Sequence, residues 1–169
     1  WYANAGLTGD KVEELPESYP AGTTTYYAAW AANTDVSYIV HYYVDGTTRS
    51  IAADKTETGK TFDVSYTETA VDVAGYTLVG DKTRTFTLDE EGKEITFYYT
   101  ADEAKIVFVT NGGSGVNDMD GATGEKISDR AMPETVRTGY EFGGWYANAG
   151  LTGDKVEELP ESYPAGTTT

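Results

Sequence analysis

The chain has 169 residues, with 12 Lys+Arg against 28 Asp+Glu and a formal charge of −16. That balance repels phosphate backbones and anionic headgroups and so excludes nucleic acid as a partner. No cysteine is present, which removes disulfides and thiolate metal sites, and no apolar run approaches the roughly 20 residues that span a bilayer, so no membrane insertion is expected in this segment.

Residues 1–25 read WYANAGLTGDKVEELPESYPAGTTT, and the same sequence returns without a substitution as residues 145–169. Perfect identity at so long an offset leads to the expectation of a window drawn from a tandem array, opening inside one repeat and closing inside the next. Leu15-Pro16-Glu17-Ser18 superficially suggests a wall-sorting signal. It continues into Tyr19 without an apolar tail and recurs at Leu159, so it reads as a loop. Tyr26, Tyr27 and Trp30 follow Thr25, and no counterpart of them follows Thr169.

The strongest strand signal is Val36–Val44, with Val36, Tyr38, Val40, Tyr42 and Val44 on one face. Asp45-Gly46 marks a tight hairpin turn, with Thr47–Asp54 as the expected returning strand. Thr61–Val73 reads as either a short helix or an irregular strand. Gly75–Val79 reads as a short strand, and Thr83–Leu88 with Glu94–Thr100 reads as a hairpin around Asp89–Gly92, with Ile95, Phe97 and Tyr99 sharing a face. Thr100–Ala104 is a short joint. A new strand starts at Lys105 with Ile106 and Phe108 inward, ending at the turn-forming Asn111–Gly115. Gly124–Ser128 and the aromatic stretch Gly139–Tyr146 complete the strand candidates, and Leu159-Pro160 and Tyr163-Pro164 mark loops.

None of the chemistry-bearing residues forms a catalytic constellation. His41 is the only histidine, and a base needs an orienting partner and a nucleophile or metal in reach. It reads as a packed strand residue. Asp118 and Asp120, before Gly121, are the metal candidates, with Asn117 and Glu125 as further oxygens. With Gly121 at position 6 of a calcium loop, Val116 and Ile127 fall at positions 1 and 12, and the EF-hand pattern fails. The Gly112–Gly115 run lacks the Gly-Lys-Ser/Thr of a phosphate cradle. Exposed Trp and Tyr stack on sugars, which makes Trp145, Tyr146 and Trp30 the glycan-stacking candidates, although most aromatics are needed for cores. No cofactor is expected, and the chain reads as non-enzymatic.

Two stretches carry family resemblances. Val107–Ser114, Arg137–Tyr146 with its Gly-Tyr-Glu-Phe-Gly-Gly-Trp-Tyr run, and the closing Tyr26–Trp30 resemble the Listeria–Bacteroides repeat, the internalin B-repeat type. Ile39–Gly46, Ala74–Gly80 and Ile95–Tyr99 resemble a MucBP-type, mucin-binding-protein repeat. These resemblances imply an α+β, β-rich fold of tandem small β-grasp (ubiquitin-like) modules in an elongated arrangement. The implied division is 1–33, the C-terminal half of an internalin B-repeat-like module; 34–103, a MucBP-like module; and 104–169, a B-repeat-like module lacking its last strand. They further imply an extracellular, cell-surface protein, anchored to the wall through regions outside these residues. The leading functional expectation is a stalk or spacer repeat of an adhesin. The alternatives are a weak multivalent mucin- or glycan-binding repeat and an accessory region of a larger secreted enzyme. The expected partners are neighbouring repeats and host mucin or glycan, with head-to-tail strand exchange between isolated copies of the segment.

Overall fold

The structure, a computed structural model, describes residues 1–169. It contains nine strands: β1 (Val36–Val44), β2 (Lys55–Lys60), β3 (Ser65–Thr69), β4 (Tyr76–Val79), β5 (Thr83–Thr87), β6 (Lys93–Ala101), β7 (Glu103–Ile106), β8 (Met119–Ala122) and β9 (Thr167–Thr168). There is no helix, so the α component of the expected α+β class is absent and the fold is β-rich.

The first packed unit is a four-stranded sheet in the order β2-β1-β6-β4, covered by the β3-β5 ribbon. β1 and β6 run parallel at the centre, in register from Tyr38 opposite Lys93 to Val44 opposite Tyr99. Their alternation sets the inner face: Val36, Tyr38, Val40 and Tyr42 from β1 meet Ile95, Phe97 and Tyr99 from β6, all buried. Ala70 and Leu88, flanking the ribbon, seal this core, and Phe86 meets the Tyr38 ring edge-on at 5.0 Å.

Several expected elements move. The return from Asp45-Gly46 is delayed: Ser50 makes a single bridge to Tyr43, and the paired strand is Lys55–Lys60 rather than Thr47–Asp54. Thr61–Val73 resolves to a strand, because Ser65, Thr67 and Thr69 face out and pair with the Thr-rich β5, with Thr67 Oγ1 2.7 Å from Thr85 Oγ1. The expected Thr83–Leu88/Glu94–Thr100 hairpin does not form. β5 pairs with β3 instead, and β6, buried between β1 and β4, belongs to the other layer. Glu68 is the one acid in this core. It accepts a hydrogen bond from Tyr38 Oη at 2.6 Å and both its oxygens meet Lys55 Nζ at 2.9–3.0 Å.

The second packed unit centres on β7, with β8 antiparallel on one side and β9 parallel on the other. Ala104, Ile106, Ile127, Leu159 and Tyr163 form its core. Gly124–Ser128 contributes only a bridge from Lys126 to Ser162, and Gly139–Tyr146 only a bridge from Trp145 to Val156, so neither is a strand.

Residues 1–33 hold no strand, only the Tyr2–Tyr27 bridge, and attach to the first unit through Asn33 O, which accepts from Phe62 N at 2.8 Å. The repeated 25 residues thus appear in two settings. The local turn is the same in both: Leu7 and Leu151 have φ of 51° and 50°, and Asn4 and Asn148 Nδ2 donate to Thr8 O and Thr152 O at 2.7 and 2.8 Å. The packing is not. Leu159 is 4% exposed where Leu15 is 76% exposed, and Tyr163 is buried where Tyr19 is fully exposed. Residues 103–132 supply the surface that the C-terminal copy packs on.

Leu159→Ala should cost about 2–5 kcal/mol in denaturant unfolding of the second unit, and Leu15→Ala, in the identical local sequence, about 0.5 kcal/mol or less. Hydrogen bonds from Lys60 and Lys55 hold the Glu57 carboxyl below its ordinary 4.5, and Glu68 followed by Glu57 holds the Lys55 amine above its ordinary 10.5. A lowered acid stabilises above its unfolded value and loses that as pH falls through its folded value. A raised amine stabilises below its unfolded value and loses that as pH rises through its folded one. Thermal melts should therefore weaken at both extremes, and Glu57→Gln should flatten the acid limb while sparing the alkaline contribution of the Lys55–Glu68 pair.

Candidate functional site

Two features stand out: a joint between the packed units and an open apolar groove on the second. The joint is built on Asp102, the single residue between β6 and β7. Its N–H donates to Gly75 O and its carbonyl accepts from Thr123 N, each at 2.9 Å. Thr77 Oγ1 donates to the Asp102 carboxylate at 2.6 Å. Tyr76 Oη donates to Thr123 O at 3.2 Å, and Arg49 reaches Gly124 O and Tyr76 Oη, each at 3.3 Å, its guanidinium also lying over the Tyr76 ring. Gly75 has φ +77°, and a Cβ there would meet Thr123 Cγ2 at 2.6 Å and Ala165 Cβ at 2.7 Å, so only glycine lets the two units approach this closely. The connection is a bonded seam with no slack in it.

The groove, about 540 Å³, runs along Val107–Thr110 beyond the end of β7. Phe108, Met132, Phe142, Trp145, Val156 and Leu159 line it. Phe108 and Phe142 meet the Trp145 ring edge-on at 5.4 and 5.6 Å, and Trp145 Nε1 donates to Pro133 O at 2.8 Å, which fixes the indole in the groove wall.

The residues singled out from sequence are dispersed. Trp145 and Tyr146 belong to the groove, whereas Trp30 stands 92% exposed in the loosely packed N-terminal segment. Lys105 Nζ lies between Asp118 and Asp120, 3.4 and 3.3 Å from their carboxylates, and the hydrogen bond to Asp120 leads the interactions that raise its pKa. A lysine ammonium thus already neutralises the acids considered for a cation. Of the further oxygens, Glu125 Oε2 caps the turn by accepting from Ala122 N at 2.9 Å. His41 is buried and stacked on Tyr43, with Nδ1 3.0 Å from Asp54 Oδ1, near enough for an ion pair when protonated but not aligned as a hydrogen bond. No nucleophile stands beside it. Gly112 and Asn111 take positive φ in a turn that Arg137 Nη1 closes onto Asn111 O at 3.2 Å.

The joint was the main feature sequence reading missed. Arg49, Gly75, Tyr76, Thr123 and Gly124 lie far apart in the chain, and only their proximity gives them meaning. The brevity of the connection at Thr100–Ala104 was the visible signal.

Comparison with protein-family models gives two matches: residues 39–100 to the MucBP domain and residues 105–169 to the Listeria-Bacteroides repeat domain. The boundary between them, 100 to 105, coincides with the joint at Asp102. No curated protein matches the chain.

Gly75→Ala should open the seam, through both the close contact and the positive φ, at a cost of about 1–3 kcal/mol. Hydrogen exchange should quicken at the Asp102 and Thr123 amides, and the two units should unfold in separate steps.

Proposed function

We propose that this chain, a MucBP-type module joined to a Listeria–Bacteroides repeat module of the kind found in bacterial surface proteins, is a spacer repeat. Its role is to hold a distal binding domain away from the cell. The observation that carries this reading is the geometry of the central strands together with the seam. β1 enters the first unit and β6 leaves it parallel to β1, so the chain comes in at one pole and leaves at the other. A nine-residue strand spans roughly 30 Å, and the exit continues at once into β7 through Asp102. Each unit therefore adds length, and the bonded joint limits bending. The charge of −16 keeps neighbouring repeats and chains from sticking.

Under this reading the modules divide at 1–33, 34–103 and 104–169. The order β2-β1-β6-β4 with a parallel central pair supports a β-grasp-like first module, in which the β3-β5 ribbon occupies the layer a helix would fill. The protein works outside the cell, attached to the wall through regions beyond these residues, and the repeat has no catalytic role of its own.

The MucBP match and the exposed Trp30 favour a second reading, in which each repeat binds mucin-type glycan weakly and copy number supplies avidity. Titration of the chain with mucin glycans, followed by NMR, separates the two. The spacer reading expects no saturable shifts up to roughly 1 mM glycan. Saturable shifts abolished by Trp30→Ala or Trp145→Ala would establish the binding reading instead. Scattering from chains of one, two and three repeats should give a maximum dimension that grows linearly with copy number, and a dimension that plateaus would contradict the spacer.

A further inference from the structure

The face of the first sheet turned away from the ribbon carries a group of side chains that the core does not use. β1 and β6 are in parallel register, so Ile39, His41 and Tyr43 share that outer face with their partners Glu94, Thr96 and Tyr98. Tyr43 and Tyr98 are directly paired across the two central strands, and both are half-buried. The His41 ring stacks on Tyr43, with centroids 5.2 Å apart and 20° between the planes. Together the rings form a flat aromatic shelf on the open side of the sheet.

Two carboxylates flank the shelf. Asp54 Oδ1 lies 3.0 Å from His41 Nδ1, and Glu94 Oε2 lies 3.9 Å from Nε2. A neutral imidazole carries one N–H and can serve only one of them. Neither contact is a hydrogen bond: Nδ1 is buried without a partner, and the Nε2 contact is too long. No lysine or arginine meets either acid. Their sequence neighbours Lys55 and Lys93 are held by Glu57 and Glu68 and by Asp89 and Glu90. The side chains of Asp54 and Glu94 are 45% and 70% exposed, so both can be reached from solvent. Partial burial first, and then the charges of these two acids, hold the Tyr43 hydroxyl above its ordinary 10.0. The field of both acids therefore falls on the shelf.

An aromatic surface beside unpaired negative charge selects an organic cation. Guanidinium fits it best: it is planar, lies flat on an aromatic face, and presents a fork of N–H donors to carboxylates at the rim. An ammonium is attracted only as a point charge. A second copy of this chain is not the source. Its four arginines are committed: Arg49 at the seam, Arg84 over the Phe97 ring, Arg130 on Glu158 and Leu159 O, and Arg137 over the Tyr140 ring. The charge of −16 repels another copy and draws a basic molecule.

We propose that the Tyr43–Tyr98 shelf, with Asp54 and Glu94 at its rim, binds an arginine side chain of a basic partner protein. This goes beyond the spacer reading and does not rest on it. The shelf uses neither Trp30 nor Trp145, so the outcome of a glycan titration leaves it untouched.

Titration of the intact chain with the peptide acetyl-Gly-Arg-Gly-Arg-Gly-amide, followed by NMR, tests the proposal. The expected result is saturable shifts of the Tyr43, Asp54, Glu94 and Tyr98 signals, half complete at or below roughly 1 mM. The same peptide with citrulline in place of arginine keeps the planar shape, loses the charge, and should give none. Asp54→Asn with Glu94→Gln should weaken binding by about fivefold or more, and Tyr98→Leu by about threefold. Glu13→Gln with Glu14→Gln removes the same charge from exposed positions of the N-terminal segment and should change binding by less than about twofold. None of these side chains belongs to either core, so the far-UV spectrum should stay the same in every variant. Absence of saturable shifts, equal binding of the citrulline peptide, or an equal loss in the Glu13 and Glu14 control overturns the proposal.

Discussion

The parallel pairing of β1 with β6 is the constraint on which the rest depends. Seven in-register positions, from Tyr38–Lys93 to Val44–Tyr99, bring together two nine-residue strands that lie some fifty residues apart in sequence. Each presents alternate apolar residues to one side, and that shared face is the core of the first unit. The same parallelism fixes the direction of the chain. Antiparallel strands would return it to the pole it came from, whereas this arrangement delivers it to the far pole, where Asp102 hands it to β7. Core, polarity and joint thus follow from a single pairing.

At the far pole, close approach replaces a linker. Gly75 and Gly124 both have positive φ, and both sit where a Cβ would overlap the neighbouring unit. Tyr76 and Arg49 fill the remaining space with hydrogen bonds to carbonyls of the second unit. Tyr76 is half-buried and Arg49 exposed, so water competes for these bonds and their contribution is mainly geometric: they choose one orientation and penalise others. One cost remains in the seam, since Thr123 Oγ1 is buried there without a partner.

Legibility in the sequence followed the range of the interactions. The alternation in Val36–Val44 and in Ile95, Phe97 and Tyr99 showed both central strands and their inward faces, and Asp45-Gly46 showed the first turn, because these are local patterns. Partner choice was not legible. Thr83–Leu88 and Glu94–Thr100 are near neighbours separated by a turn, and nothing local says that one joins β3 while the other inserts beside β1. The helix considered for Thr61–Val73 was open for the same reason: Glu68 looks like a solvent-facing acid until Tyr38 and Lys55 converge on it. The candidate site was less legible still. Trp145 and Tyr146 were legible as stacking aromatics but not as groove walls, the aspartates considered for a metal flank Lys105, and the joint was visible only as a short connection. The duplicated 25 residues show the limit directly. One sequence forms the same local turn twice, and buries Leu159 but not Leu15, because burial belongs to what it packs on.

The seam at Asp102 holds the two units in one orientation. The chain has no cysteine, so paired spin labels can be placed cleanly at Glu90→Cys, beside the N-terminal pole, and Ser128→Cys, on the second unit, both exposed. The distance distribution between them is the most direct test. A rigid spacer predicts one narrow distance, unchanged by salt. A broad or multi-peaked distribution would mean that the units swing independently, and would contradict the account.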